Sequence, residues 1–421
     1  METVKLIKNT IIEKIKMSDW KLIIPYLILT GIGIFMVYSS SSYFAMTVYS
    51  DSERFFIRQL IFSVLGFGIV AFISVINNRL LKSKKMILFS LTVVFSMLLY
   101  LIIVRIATGG ENTTNGASGW LNIGTFGLQP TEFLKMALIL YLSAFFSNTQ
   151  TKLATIDECF DQTSGKNGRI KQLFSHLWNI LKKPVLITIV FLGLVILQPD
   201  MGTVIIVGFI CFIMLFLSGL SFKYGLLALG GMGLFYSIIV GVFKLWGNIP
   251  FLPTYMVERF TAFLDPFSDV QKSSYQLVNS FYALSRGGFF GVGIGESVQK
   301  TGYLPESHTD FIIPIMGEEL GLFFVVGVLA VFFFLVYRIF RMSMRIRDPF
   351  GQLVCIGVAS MFFIQGTINV GGAVGVLPLT GVTFPFVSYG GSSMLVSSIA
   401  IAIINNIYIN DKKTKKLDKK Q

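Results

Sequence analysis

Long apolar runs alternate with short polar or charged segments along most of the chain. A transmembrane helix needs about 20 consecutive, mostly apolar residues. Runs of that length lie near 22–44, 55–76, 86–107, 201–219, 223–245, 311–337, 350–374 and 385–409, and the shorter runs 130–147 and 185–199 reach it with their flanking residues. The pattern predicts an all-α polytopic membrane protein with about ten transmembrane helices.

The positive charges give this architecture an orientation. If the leader, every second loop and the tail are cytoplasmic, Lys and Arg number 26 in the cytoplasmic segments and 5 in the outer ones. Such an excess is typical of cytoplasmic loops. We therefore expect a cytoplasmic leader (1–21), a transmembrane domain (22–410) with a large extracellular loop (247–310) between the seventh and eighth helices, and a basic cytoplasmic tail (411–421) that is disordered.

Composition supports a membrane protein and argues against other classes. Only 14% of residues are charged and 53% are hydrophobic, whereas soluble proteins carry about 25% charged residues. The net charge of +13 lies in blocks at the ends of apolar runs, without interleaved base-stacking aromatics, so no nucleic-acid partner is expected. The three cysteines are far apart and indicate neither a disulfide framework nor a zinc site.

Four irregular segments stand out from the generic helices. They are 115–135, 197–203, the long loop 247–310, and the glycine- and proline-rich stretch 369–393. In the predicted topology all four lie on or just inside the outer face. Irregular backbone at membrane depth is tolerated where it is buried in protein or lines a watery cavity. We therefore expect a cavity open to the outside, the alternative being that the segments are ordinary loops.

Ionisable residues within predicted spans are functional candidates because burying them in a membrane is costly. They are Arg58, Arg105, Glu132, Lys135, Glu318 and Glu319. Arg58 and Arg105 are expected to form ion pairs between helices. Glu132 and Lys135 are one helical turn apart, which fits either an ion pair or a functional role. Glu318 and Glu319 are adjacent, so at most one of them is expected to line the cavity.

The end of the long loop is the densest group of chemically active residues. The run GGFFGVGIGES (287–297) is not preceded by a strand and does not fit a nucleotide-binding motif, so we interpret it as a hinge or as backbone that approaches a ligand closely. Directly after it, Lys300, Glu306, His308 and Asp310 fall within eleven residues. These residues are the strongest candidates for proton transfer.

At this point the chain resembles a known family. The run QKTGYLPESHTDFIIPIMGEELG (299–321) is similar to the signature of the SEDS proteins, polytopic peptidoglycan glycosyltransferases of bacterial shape, elongation, division and sporulation. GWLNIGTFGLQPTEFLK, QPDMGT and INVGGAVGVLPLTGVTFPFVSYGGSS match in the family's order. The first motif departs at Gly119, where the family commonly has a basic residue. The run VQKTGYLPESHTDF is closer to the division member of the family than to its elongation member.

The resemblance implies an enzyme that polymerises lipid II into glycan strands on the outer face of the bacterial cell membrane, during septal synthesis. Asp310 matches the family's essential Asp and is expected to be the general base. The expected substrate-binding residues are Glu132, Lys135, Arg259, Lys300, Glu306, His308 and Ser388. Lys272 and Arg286 are further candidates for holding the diphosphate. Inversion at the donor's anomeric carbon requires a protein base that deprotonates the acceptor hydroxyl, and a stabilised leaving group.

The resemblance also implies partners. A class B penicillin-binding protein transpeptidase and other divisome membrane proteins are expected, and a divalent cation, Mg²⁺ or Mn²⁺, is a possible cofactor at the leaving group. Two alternatives remain open: a lipid II flippase with the same architecture, and a non-catalytic scaffold that recruits a transpeptidase. The clustering of charges in the outer loop, and not along a path through the membrane, favours the enzyme.

Overall fold

A computed structural model describes residues 13–108, 119–154, 166–220 and 254–419, apart from positions 15, 125 and 273, together with short helical fragments between 223 and 241. The elements in chain order are α1 (Trp20–Tyr49), α2 (Arg54–Val75), α3 (Asn78–Leu81), α4 (Lys84–Ala107), β1 (Leu121–Ile123), β2 (Phe126–Leu128), α5 (Pro130–Ala154), α6 (Lys166–Ile196), α7 (Met201–Phe216), α8 (Thr254–Leu264), α9 (Tyr275–Gly287), a 3-10 turn (Gln299–Thr301), α10 (Ile312–Ser343), α11 (Pro349–Ala373) and α12 (Gly391–Asp418).

The all-α polytopic class is confirmed. In the described part, seven helices are long and apolar enough to cross a membrane, and the apolar α7 is shorter. Nine of the predicted spans coincide with helices, while the tenth, 223–245, is described only in fragments. One of the three cysteines, Cys159, and the start of the long loop lie outside the described residues.

The tail differs from its prediction. We expected disorder from residue 411 onward, but α12 continues to Asp418. Lys415 lies 2.6 Å from Asp411, one turn earlier on the helix, and Arg347 lies 2.5 Å from Asp418. These acidic residues partly offset the repulsion between the lysines, and i,i+4 pairs of this kind favour helix.

Polar residues at helix starts explain where several helices begin. The side chains of Asp19, Ser83 and Asp200 precede α1, α4 and α7, and accept hydrogen bonds from first-turn backbone N–H groups. Such caps satisfy donors that the helix itself leaves unpaired. Each apolar run therefore starts at a polar residue that the sequence supplies just before it.

The chain forms two compact units. The first comprises Met1–Ser74, Leu234–Arg338 and Phe362–Asn405, and the second comprises Val75–Gly233, Ile339–Met361 and Asn406–Gln421. In the first unit, Arg338 lies 2.6 Å from Asp19, whose backbone N–H donates to Asn405. This cluster joins the start of α1 to α10 and α12.

The second unit is built around α4, α5, α6 and α7, which pack against one another. Before α5 the chain forms a short antiparallel hairpin, in which Leu121 pairs with Leu128. The ring of Trp120 lies over Gly127, where an added Cβ would be 3.1 Å from it. The hairpin leads into the first turn of α5, which carries Glu132.

Candidate active site

The segment from Gln299 to Phe311, here called the reactive loop, enters α10 and belongs to the first unit. Glu306 has φ 56°, a backbone conformation that non-glycine residues rarely adopt. Its carbonyl accepts hydrogen bonds from the N–H groups of Thr309 and Phe311, and the Thr309 hydroxyl donates to the Glu306 carboxylate at 2.8 Å. Strained conformations held in this way are concentrated at functional sites.

A second irregular segment holds the reactive loop from the other side. The Asn369 amide donates to the carbonyls of Asp310, at 2.9 Å, and Val382, at 2.7 Å. The hydroxyl of Ser388 donates to the carbonyl of Thr309 at 2.6 Å. The third and fourth irregular segments of the sequence are thus brought together. Ser388, predicted to bind substrate, holds the backbone of the reactive loop through this hydrogen bond.

Asp310 is the carboxylate that the reactive loop leaves available. The side chain is half-buried, and no described residue donates a hydrogen bond to its carboxylate. Helix α10 begins at Ile312, and its first-turn N–H groups do not bind the Asp310 side chain, which therefore does not cap the helix. A Cβ added at Gly381 would lie 3.5 Å from Asp310 Oδ2 and 3.6 Å from Arg259 Nη2. Asp310 and Arg259 therefore border the same point.

The surroundings of Asp310 favour a base that works near neutral pH. Burial, together with the negative charge of Glu306, raises the pKa of Asp310 to about 7, and the positive charge of Arg259 opposes this rise. A general base is most effective when its pKa lies near the working pH. The arrangement is that of a carboxylate prepared to accept a proton.

His308 lies among aromatic rings two residues before Asp310. It is 4% exposed, and its ring centroid is 4.5 Å from that of Phe55, 5.6 Å from that of Tyr389 and 5.7 Å from that of Phe44. Burial lowers the pKa of His308 to about 4, against the opposing charge of Glu306. The imidazole is therefore neutral at pH 7, and its Nδ1 has no hydrogen-bond partner among the described residues.

Two glutamates of α10 are engaged with the first residues of the reactive loop and with the segment just before it. Glu318 lies 2.8 Å from Arg286 and accepts hydrogen bonds from the Ser297 hydroxyl and from the Val298 and Gln299 N–H groups. We expected at most one of the adjacent glutamates to line a cavity, and the described contacts give Glu318 a structural role.

Glu319 is satisfied in the same manner. Its carboxylate lies 2.6 Å from Lys300 Nζ, and Ser39 of α1 donates to it at 2.6 Å. Lys300, predicted to bind substrate, is 7% exposed and also contacts the Ser39 hydroxyl at 3.3 Å. The positive charge of Lys300 is thus matched by a carboxylate within the unit.

The glycine-rich run 287–297 packs closely against the backbone of α10. The N–H groups of Val292 and Gly293 donate to the carbonyls of Glu318 and Glu319 at 2.9 and 3.0 Å. Helix α10 has a kink at Gly321, with φ 83° and ψ 169°. The close approach that the glycines predicted therefore serves packing within the first unit.

Glu132 and Lys135 lie in the second unit. Lys135 Nζ is 2.8 Å from Glu132 Oε1, and the side chains are 1% and 9% exposed. In the same unit Asp200 of the QPDMGT motif accepts hydrogen bonds from the hydroxyls of Thr203, at 2.7 Å, and Thr131, at 3.2 Å. The first and second irregular segments are thereby joined, and the ion-pair alternative for Glu132 and Lys135 describes their contact.

Within the described part of the chain, Arg58 and Arg105 do not form the ion pairs that were predicted for them. No described carboxylate lies within 4 Å of either guanidinium. Arg105 instead donates to the backbone carbonyl of Leu197, which satisfies it without a second charge. Arg58 lies within hydrogen-bonding reach of Tyr389. Sequence spacing gives no indication of such partners, because they come from distant parts of the chain.

Two contributors to the site were missed from the sequence. Gly381 (φ 74°) leaves room between Asp310 and Arg259, and the backbone N–H of Tyr389 holds the His308 carbonyl at 2.9 Å. Both lie in the run INVGGAVGVLPLTGVTFPFVSYGGSS, whose many glycines were the available signal. Among the described residues, no three side chains of His, Cys, Asp or Glu are grouped as metal ligands.

The family of the chain follows from comparison with known proteins. The chain matches the FtsW/RodA/SpoVE family model, described as "Cell cycle protein", over residues 20–413. It is 39% identical to "Probable peptidoglycan glycosyltransferase FtsW" of Lactococcus lactis subsp. lactis (strain IL1403), covering 94% of this chain and 93% of that protein. It is 36% identical to the Bacillus subtilis (strain 168) protein of the same name, covering 95% and 94%.

Solved structures share the fold. One, described as "Structural coordination of polymerization and crosslinking by a peptidoglycan synthase complex", superposes with a TM-score of 0.68 at 24% identity, covering 94% of this chain and 98% of that one. The rod shape determining protein RodA of Thermus thermophilus gives 0.58 at 22% identity, covering 93% and 96%. The family match spans nearly the whole chain and contains the reactive loop. This protein is a member of the FtsW/RodA/SpoVE family.

Proposed function

We propose that this protein is a peptidoglycan glycosyltransferase that polymerises lipid II into glycan strands. The single observation that carries the proposal is Asp310. Its carboxylate has no hydrogen-bond donor among the described residues, its pKa is raised to about 7, and it borders Arg259 at Gly381. Relatives that are 39% and 36% identical over nearly their whole length carry the name peptidoglycan glycosyltransferase FtsW.

The proposed reaction is a single inverting displacement. Asp310 removes the proton from the acceptor sugar's 4-hydroxyl, while the oxygen of that hydroxyl attacks the anomeric carbon of the donor. The bond from that carbon to the diphosphate breaks, and undecaprenyl diphosphate leaves. A positioned base contributes about 10²–10⁴ in rate. Arg259, which borders the same point as Asp310, is placed to hold a negatively charged group of the substrate.

Neutral His308 and strained Glu306 position the base in this proposal. His308 is held among three rings, and its carbonyl is held by the Tyr389 N–H, so the loop geometry at Asp310 is tied to the closing segment. Glu306 contributes its negative charge to the raised pKa of Asp310. Glu132 and Lys135 are proposed to support substrate binding through the shape that their ion pair gives to α5.

Dependence on Mg²⁺ or Mn²⁺ stays a prediction. Asp310 and Glu306 are the carboxylates nearest the proposed chemistry, and a hard divalent cation would complete its ligands with water and diphosphate oxygens. Polymerisation in the presence of EDTA, followed by titration with each metal, tests this dependence. Full activity after chelation would remove the cation from the scheme.

The decisive assay uses purified protein, lipid II and liposomes, with and without a cognate class B penicillin-binding protein. Glycan polymer is expected in at least one of these conditions. If no polymer forms while labelled lipid II crosses the bilayer, the flippase alternative is correct. If neither occurs and the transpeptidase still binds, the scaffold alternative is supported. The peptidoglycan synthase complex with the same fold makes the transpeptidase a reasonable partner.

The proposed reaction requires the reactive loop on the outer face, which with the predicted spans puts both termini in the cytoplasm. Enrichment at the division septum is a further part of the proposal. In a variant without native cysteines, Ser268→Cys and Asn77→Cys provide exposed reporters of the long loop and of the loop after α2. An impermeant maleimide applied to intact spheroplasts is expected to label the first and spare the second. The reverse pattern would invalidate the topology, and a fluorescent fusion tests septal enrichment.

A further inference from the structure

The side chains of Arg54 and Arg58, close to the junction of α1 and α2, are not used by the proposed mechanism. Arg54 is the first residue of α2, and its guanidinium carbon lies 4.1 Å from the centre of the Tyr49 ring. Arg58 is one turn further along the same helix and lies within hydrogen-bonding reach of the Tyr389 side chain. We call Arg54, Arg58 and Tyr389 the arginine cluster.

The arginine cluster differs from three of the basic residues that the sequence analysis proposed for substrate binding. Lys135, Arg286 and Lys300 each have a carboxylate within 2.8 Å. Neither Arg54 nor Arg58 has a described carboxylate within 4 Å. In the described part of the chain, two positive charges therefore lie one helical turn apart without a carboxylate within 4 Å.

Two buried nitrogen atoms in this region also lack partners. Arg54 Nε and His308 Nδ1 are buried and make no hydrogen bond within the described residues. Phe55, which follows Arg54 in the chain, packs against the other two rings, because its ring centroid is 4.5 Å from that of His308 and 5.0 Å from that of Tyr389. A buried polar group without a partner is costly. The unmet donor at Arg54 Nε points to a ligand that brings acceptor oxygens.

The arginine cluster is joined to the reactive loop. The backbone N–H of Tyr389 donates to the carbonyl of His308 at 2.9 Å, two residues before Asp310. The hydroxyl of the same tyrosine faces Arg58. Tyr389 therefore contacts both the loop that carries the proposed base and Arg58 of the cluster. An anion held by the arginines would lie beside the loop that performs the chemistry.

We propose that Arg54 and Arg58, with the Tyr389 hydroxyl, bind the diphosphate of a polyprenyl-linked sugar. Guanidinium groups bind phosphate oxygens in pairs of parallel hydrogen bonds. Two arginines one turn apart match two linked phosphates, and the positive end of the α2 dipole adds to the attraction. The assignment of the ligand as a substrate diphosphate rests on the proposed function. It gives that function a binding site that is separate from Asp310 and Arg259.

The test measures binding without turnover. In an Asp310→Asn background, lipid II affinity is compared before and after Arg54→Gln, Arg58→Gln and the double substitution. Each substitution is expected to weaken binding about tenfold, as for loss of a charge-assisted contact to phosphate. Arg79→Gln, at an exposed site in α3, is the charge-matched control and is expected to leave affinity unchanged. Arg58→Lys retains charge without the planar fork and is expected to bind with intermediate affinity.

Competition identifies the chemical group. Geranyl diphosphate is expected to displace lipid II from the parent protein, whereas geraniol is not, and the double variant is expected to be insensitive to both. If phosphatidylglycerol micelles displace lipid II as well as geranyl diphosphate does, the cluster binds lipid headgroups and the proposal is wrong. If the double variant fails to fold, two other variants replace it: the double substitution Arg54→Lys, Arg58→Lys, and the single substitution Tyr389→Phe. Both are expected to weaken lipid II binding.

The two proposals fail in different ways. If the protein with Asp310 intact makes polymer, and the arginine variants make it with unchanged KM and bind lipid II normally, the arginine cluster is not the diphosphate site. If no polymer forms under any condition, while geranyl diphosphate still competes at the arginines, the enzymatic function is wrong and the anion site stands.

Discussion

The start of α10 separates two groups of carboxylates with opposite surroundings. On one side, Asp310 is half-buried and receives no hydrogen bond from the described residues. On the other side, Glu318 and Glu319 are buried, and each is matched by a cation and by hydroxyl or backbone donors. The three residues lie within nine positions of one another. Their chemical roles are therefore set by the partners that the fold provides, since the functional group is the same.

This contrast follows from the cost of burying charge. A buried carboxylate without partners shifts its pKa upward and remains available for proton transfer. A buried carboxylate with a cation and several donors remains charged and holds the surrounding segments together. In the proposed mechanism, the first unit uses one kind to prepare a base and the other to fix the loop that carries it.

The largest effect is expected from Asp310→Asn. Asn has a similar size but cannot accept the proton, so polymerisation should fall by about 10²–10⁴, the usual contribution of a positioned base. Membrane insertion, thermal stability and binding of the transpeptidase are expected to persist. Glycan polymer from lipid II is the readout, and Glu296→Gln, at an exposed position, is the control. Near-normal polymer from Asp310→Asn would remove the base assignment.

The same variant separates polymerisation from transport. Cells that depend on Asp310→Asn are expected to display externally accessible lipid II at normal or raised levels, because the substrate arrives and is not used. Reduced external lipid II at equal expression would favour the flippase.

Glu319→Gln should act mainly on stability. It leaves the Lys300 ammonium, which is 7% exposed, without its carboxylate. Breaking a buried ion pair by removing one partner costs about 3–5 kcal/mol. The Tm of the purified protein in detergent should fall substantially. The double variant Glu319→Gln, Lys300→Met should recover part of the loss. A double variant as unstable as the sum of its single variants would show that the pair is not coupled.

The rate of polymerisation should rise with pH through about 7, because that is the pKa of Asp310 and the base must be ionised. The stability of the folded protein should change with pH in the opposite direction to the rate. The folded-state pKa is raised above its usual 3.8, so the stabilisation is complete below pH 3.8 and is lost as the pH rises through 7. Asp310→Asn should therefore raise Tm at pH 8 more than at pH 5. A flat rate profile between pH 6 and 8 would contradict this assignment.

The smallest effects are opposite shifts of that profile. Glu306→Gln removes a negative charge that raises the pKa of Asp310, so the acidic limb should move to lower pH. Arg259→Gln removes a positive charge that lowers this pKa, so the limb should move to higher pH. Rate profiles of both variants, beside Glu258→Gln at an exposed neighbouring position, measure the shifts. Shifts of the same sign would mean that substrate binding, and not the base, controls the profile.

The sequence predicted the class of fold, most spans and the reactive loop, because apolar length and the clustering of ionisable residues are local properties. It could not predict which charges are paired. Lys300 meets Glu319 and Ser39, and Arg58 meets Tyr389, through contacts between distant parts of the chain. The expected ion pair of Arg58 was wrong for this reason. The helical end of α12 was missed because a run of lysines resembles a solvated tail.

The glycines that connect the GGFFGVGIGES run to α10 have a consequence for the interpretation of mutational screens. A Cβ at Gly287 would lie 2.0 Å from the carbonyl oxygen of Gly317, and one at Gly291 would lie 2.3 Å from that of Glu319. At Gly321 the distance to the carbonyl oxygen of Phe289 would be 2.4 Å. Any side chain at these positions would push the backbone of the glycine-rich run away from the backbone of α10. A screen scored by growth would therefore mark them as strongly as Asp310, and only measured protein abundance would separate assembly defects from lost chemistry.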